Sequence, residues 1–234
     1  MNKEDLTILI AGPLNKISLD NLDYYKSIGK VVISYWENDS SDILTDYNLD
    51  DVLCVRRPLP RNQDVIYAQG YGTFAYQVCG IYNGLSVTNT KYVIRTRSDE
   101  MFGNLQPLIE KFEQDTNKVV CGNIFFKRWI TYGFHHGDHL FVGRTNHLIE
   151  AYKKVVDGSL INIPPRTIAE AITAFAILES VDKPRTKEAF MEVFDVVDTN
   201  ELKPFISNFR QAGETYVNEF HKGHHSTITC MEEL

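Results

Sequence analysis

The 234-residue chain carries 31 Asp and Glu against 24 Lys and Arg, a net charge of −7 at pH 7. That balance argues against a protein whose main task is to coat nucleic acid or an anionic membrane. A hydrophobic content of 43% without low-complexity tracts excludes a mainly disordered chain, and the length suits one large α/β domain with a substantial core.

In chain order, residues 7–13 (Thr-Ile-Leu-Ile-Ala-Gly-Pro) form an apolar run closed by Gly12-Pro13, a buried first strand ending in a turn. Helical spacing over residues 19–28 stops at Gly29, and residues 31–36 are a second buried strand broken by the polar run 37–41. Strand, helix, strand is the pattern of a parallel crossover. Residues 51–57 give a third strand, ended by Pro58-Leu59-Pro60. From Tyr67, apolar or aromatic positions 67, 71, 74, 75, 78, 82 and 85 fit one helical face, and Thr73, Gln77, Gly80 and Gly84 form an opposite stripe that permits close approach to a backbone or a ligand. Residues 91–96 are the next strand, running into Arg97, Asp99 and Glu100. Further strand-like runs at 119–126 and 139–143 flank a loop, 129–138, too rich in aromatic and histidine residues for a mere connection. A helix over 146–156 follows. Thr167-x-x-Glu170 then reads as a capping box opening an amphipathic helix through Ile168, Ile172, Phe175, Ala176 and Leu178. His221, His224 and His225 close the list.

Cys54, Cys79, Cys121 and Cys230 are widely spaced without a Cys-x-x-Cys pair, so reduced thiols are expected rather than a zinc cage or a disulfide framework. With neither a signal-peptide core nor a run long enough for a membrane span, the chain reads as cytoplasmic. GxGxxG, Walker A and G-x-S-x-G patterns are all missing.

In open α/β sheets ligands bind beyond the carboxyl ends of the strands, which places Asp99 and Glu100 at the mouth of such a crevice. Asp99 suits a divalent cation, whereas Arg95 and Arg97, alternating on the same face, suit phosphate or an internal pairing with the acids. Trp36 offers a stacking surface at a second strand end, with Asn38 or Asp39 as hydrogen-bond partners, or is simple core. Glu170 and Asp138 are candidate general bases, the alternatives being a helix cap and a turn acid. His224, with His221 and His225, suits a metal or a phosphate, or is a solvated tail.

Taken in order, Gly12-Pro13, Ser34-Tyr35-Trp36, Gln77 ahead of Gly84-Leu85, Arg95-Thr96-Arg97-Ser98-Asp99, Gly137-Asp138-His139 through Gly143, and Glu170 resemble the motifs of WavE-type lipopolysaccharide-synthesis proteins, over about residues 7–180. That family is similar to glycosyltransferases of the GT-A fold. The resemblance implies an α/β, Rossmann-like single domain with a mixed, mainly parallel central sheet flanked by helices. Its nucleotide-sugar half would span about residues 1–103 and its acceptor half about 104–234. It further implies a UDP- or GDP-linked sugar donor, a divalent cation (Mn²⁺ or Mg²⁺) and a glycan hydroxyl as acceptor. Carried over, Asp99 would be the cation-side acid, Gly12, Pro13 and Trp36 would line the nucleotide site, Gln77 would join Arg95 and Arg97 on the donor side, and Asp138 or Glu170 would face the acceptor. The chain departs from the common Asp-x-Asp pattern, having Arg97-Ser98-Asp99. The expected function is an inverting glycosyltransferase in glycan or polysaccharide synthesis; the alternative is a noncatalytic sugar-nucleotide or glycan-binding module of the same fold.

Overall fold

A computed structural model of the chain describes residues 1–61, 64, 65, 67, 73–164, 167–209, 214–217 and 227–234, with 208, 209 and 214–217 described by backbone alone. The His221, His224 and His225 group lies outside the described residues.

The first strand, β1 (Leu6–Ala11), is buried throughout, as its unbroken apolar run requires. Two short helices follow where one was expected: α1 (Lys16–Leu19) and α2 (Leu22–Ile28). The break falls at Asn21, whose side-chain amide donates to the Phe102 carbonyl at 2.8 Å. Then come β2 (Lys30–Trp36), β3 (Val52–Arg57) and α3 (Phe74–Leu85), the last described from Phe74 rather than from Tyr67. After β4 (Tyr92–Arg97) the chain turns into a short β5 (Glu100–Phe102) and into α4 (Gln106–Gln114), which begins with Pro107 in its first turn and buries Leu108, Ile109 and Phe112. The strand expected over 119–126 is only β6 (Val119–Gly122). Beyond it Asn123 turns away, its N–H donating to the Val197 carbonyl at 3.0 Å, and Phe125 adopts a positive φ of 57°.

The loop folds around a single turn, α5 (Trp129–Tyr132), before β7 (Leu140–Arg144) and α6 (Thr145–Val156). The chain continues through α7 (Ala169–Ser180), α8 (Lys187–Val193), β8 (Phe194–Val197), β9 (Phe205–Phe209) and β10 (Glu214–Val217). Expected to be amphipathic, α7 instead buries every residue from Ala171 to Leu178, because it packs between α6 and α8.

Seven strands form one sheet in the order β3-β2-β1-β4-β7-β6-β8. All run parallel except β7, which is antiparallel to both β4 and β6, so the sheet is mixed and mainly parallel. Helices cover both faces: α3, α6, α7 and α8 build one core, and α1, α2 and α4 the other. A second, antiparallel sheet has the order β10-β9-β5. No helix among the described residues is long and apolar enough to cross a membrane.

The stripe of small residues on α3 serves close packing. A Cβ at Gly84 would overlap Leu9 Cδ1 and stand 3.2 Å from Ser34 Cβ, and one at Gly80 would stand 3.3 Å from the Trp36 ring. Seated this tightly, α3 brings its first turn, with Gln77, to the carboxyl edge of the sheet. Strand order reverses between β1 and β4, the topological position at which open α/β sheets bind their ligands. At that point the segments leaving β1 and β4 nearly touch: Gly12 has φ +142°, and a Cβ on it would lie 2.6 Å from Ser98 Oγ.

Candidate active site

Arg95 stands in register between Leu9 and Phe141, both members of the core beneath α3 and α6, so its charge has few partners. Its guanidinium donates to the carbonyl of Asp138 and, at 3.1 Å, to that of His139, and it lies 5.9 Å above the Phe141 ring. Burial lowers its pKa against the opposing field of Asp138. One alternation on, Arg97 reaches the sheet edge and donates from Nε and one terminal nitrogen to both oxygens of Asp99, each at 2.8 Å. Burial pushes the Asp99 carboxyl up, but the bonds and charge of Arg97 outweigh it and hold the carboxyl below its ordinary value.

That fork bears on the implied cation. Both Asp99 oxygens face a guanidinium, and among the described residues no group of three or more His, Cys, Asp or Glu stands in a metal-binding arrangement. As arranged, the described residues do not fit a divalent ion.

The aromatic and histidine-rich loop delivers the second set of groups. Trp129 packs on Phe134 at 4.5 Å between centroids, and Phe134 packs on Phe175 of α7 at 4.7 Å, which anchors the loop across the helical layer. Gly137 lies so close to the end of β6 that a Cβ there would overlap the Gly122 carbonyl oxygen and stand 3.0 Å from that of Ile124. Gly137→Ala is therefore expected to displace the loop and destabilise the protein by about 1–3 kcal/mol. Chemical denaturation measures this, and an unchanged midpoint would show that the loop has room to shift.

Beyond Gly137, Asp138 is 5% exposed and accepts from the Gln77 side-chain amide. Burial drives its carboxyl up, yet His139, Arg95, His136 and Arg97 together hold it low, so it is an anion. His139 places Nε2 4.0 Å from Asp138 and shares a 2.6 Å hydrogen bond between Nδ1 and Glu100. The same Glu100 oxygen accepts from Ser207 of β9 at 2.7 Å.

Glu170 enters from the first turn of α7. The expected capping box does not form: the N-cap is Ile168, and the Thr167 hydroxyl donates instead to the Pro164 carbonyl at 2.6 Å. The Glu170 side chain is thereby left facing the site, 28% exposed, with an oxygen 3.8 Å from His135 Nε2. Burial first, and then the negative charge of Asp138, push its carboxyl up to about 7. Two carboxylates with opposite environments result, one held ionised and one poised near neutrality.

Of the other sequence candidates, Trp36 is only 3% exposed, packed edge-on to Tyr76, while Pro13 is exposed. Asp39 does not point into open space. It accepts from the backbone N–H groups of Trp36 and Leu14 at 3.1 and 3.2 Å, tying the ends of β1 and β2 together. The site thus brings together Gln77, Arg95, Arg97, Asp99, Asp138 and Glu170, with Gly12 beside Ser98. Sequence reasoning left out His139 and Ser207 as members; for Glu100 it offered pairing with the strand's arginines, and Arg97 Nε stands 3.9 Å from it. Nothing local marks Ser207.

Burial pushes His135 and His136 down to about 4. Unfolded histidines titrate near ~6.5, so between about pH 6.5 and 4 the unfolded chain binds two protons that the folded chain refuses. Glu170 acts in the opposite sense: the folded chain keeps its proton up to about 7, whereas an unfolded Glu releases it above ~4.3. Two groups against one leave a net loss of stability on acidification. The melting temperature is expected to fall from about pH 6.5 to 4.5, less steeply in His136→Phe. A flat or rising melting temperature would show that the two rings are charged in the folded state.

Neither any protein-family model nor any curated protein matches the chain. Among solved structures, it is similar to HddC from Yersinia pseudotuberculosis at 11% identity and a TM-score of 0.39, over 62% of this chain and 78% of that one. It is also similar to the apo-form glycosyltransferase GlyE of Streptococcus pneumoniae TIGR4, at 12% identity and a TM-score of 0.47, over 76% of this chain and 44% of that one, so it spans less than half the length of GlyE.

Proposed function

We propose that the protein is a glycosyltransferase that moves a sugar from a UDP- or GDP-linked donor to a hydroxyl of a glycan acceptor, with inversion. The observation that supports this best is Glu170, a carboxyl poised at about 7 beside an ionised Asp138 that leads into β7. In the reaction, the acceptor oxygen attacks the anomeric carbon as its proton passes to Glu170. The bond from that carbon to the diphosphate breaks, and its electron pair leaves on the phosphate oxygen. Arg97, one-third exposed at the end of β4, is the cationic side chain placed to meet the departing charge. Asp138, tied to Gln77, fixes the field in which Glu170 titrates. The motif resemblance to WavE-type proteins supports the same donor chemistry.

The test is release of UDP or GDP from a panel of nucleotide sugars and glycan acceptors, with and without Mn²⁺, by the wild-type protein and by Glu170→Gln. Donor binding by calorimetry with no nucleotide release under any condition would replace this reading with a noncatalytic sugar-nucleotide-binding module.

A further inference from the structure

Lys127 is a buried charge that the reaction above leaves unused. It is 7% exposed, yet among the described residues its ammonium has neither a hydrogen bond nor an ion pair. Its neighbours are ring faces: Nζ lies 4.9 Å from the centroid of Phe125 and 5.8 Å from that of Tyr132. The backbone ties it down, its N–H donating to the His135 carbonyl at 3.0 Å and Lys127 itself forming an isolated antiparallel bridge to Thr227. Tyr132 is 48% exposed at the rim and meets the His135 ring edge-on at 5.7 Å, and His135 in turn stands 3.8 Å from Glu170. The ammonium and the candidate base therefore lie within reach of each other's charge.

Burial of the side chain removes part of the water around the ammonium, and the described residues supply two ring faces beside it. Glu170 exerts a field on it but lies beyond ion-pair distance. What the arrangement lacks is an anion.

We propose that Lys127 is an anion subsite of the cleft, its ammonium pairing with a phosphate or carboxylate oxygen of a substrate while Phe125 and Tyr132 hold the side chain in place. This rests on the glycosyltransferase reading and extends it to substrate charge. Two sources supply such an oxygen: the diphosphate of the donor, or the carboxylate of an acidic acceptor sugar.

Thermal-shift titrations of the wild type, Lys127→Met and Lys127→Arg with inorganic pyrophosphate, glucuronate and glucose separate the sources. The wild type is expected to be stabilised by at least one of the two anions and not by glucose. Affinity for that anion should fall roughly tenfold or more in Lys127→Met and persist in Lys127→Arg. Loss of pyrophosphate binding names the donor, and loss of glucuronate binding names an acidic acceptor. Lys127→Met keeps the length and apolar body of the side chain, so it should melt close to the wild type. Should it fail to fold, Tyr132→Ala, which strips one ring from the ammonium, is expected to weaken the same anion. Binding of neither anion by the wild type, or equal anion affinity in all variants, would overturn the proposal. Binding is read without turnover, so an absence of sugar transfer would sink the glycosyltransferase reading and leave this result standing.

Discussion

Glu170→Gln should lower kcat/KM for sugar transfer by roughly 100- to 10,000-fold, the range for loss of a positioned general base. The amide keeps the shape of the side chain, so donor binding should change little and kcat should carry the loss. The pH profile gives a sharper signature. A base must be ionised to accept a proton, so wild-type activity is expected to rise with pH through the Glu170 pKa of about 7. The variant should lack that limb. Transfer at the wild-type rate, with the limb still present, would remove Glu170 from the reaction.

Asp138→Asn should cost stability rather than shape. Its carboxylate is the largest favourable charge acting on the buried Arg95 guanidinium, and the asparagine oxygen can still accept from Gln77. Leaving a buried cation without its counter-charge typically costs about 3–5 kcal/mol. For a chain of this size that corresponds to a melting temperature lower by roughly 6–20 °C. Combining it with Arg95→Met should recover much of the loss, since removing both charges is far less costly than removing one. Urea denaturation of the two single variants and the double measures the coupling. A cost under about 1 kcal/mol for Asp138→Asn would mean that the carbonyls of residues 138 and 139 suffice to hold Arg95.

The parallel half of the sheet was legible because β1, β2 and β4 carry apolar runs bounded by Gly, Pro or charge, and α3 because its apolar face and small-residue stripe both follow the helical period. The α4 helix carried its own signals, Pro107 followed by Leu108, Ile109 and Phe112, but in a segment of only 9 residues. Beyond Gly122 that reading failed because Asn123 finds better partners in Val197 and Thr199 than in a neighbouring strand. The Arg97–Asp99 pair was visible as an alternative, two residues apart on one strand. The Glu100, His139 and Ser207 contacts were not, because they join positions 39 and 107 residues apart, and only the folded topology decides which distant polar groups meet. The costly aromatics of the 129–138 loop mostly anchor it to α7 and α8, which composition alone does not separate from a ligand site.

The bond from Ser207 to Glu100 also has a kinetic meaning. Glu100 sits on β5, whose partner strand β9 emerges from the ribosome more than a hundred residues later. The pairings of β1 with β2 and β2 with β3 close short loops and can form early, whereas β5 must wait for β9 across a loop whose closure entropy is among the largest in the chain. A nascent chain would therefore hold a nearly complete parallel sheet while Glu100, and with it His139, still lacked a fixed position. Assembly of the ionisable cluster would come among the last steps of folding.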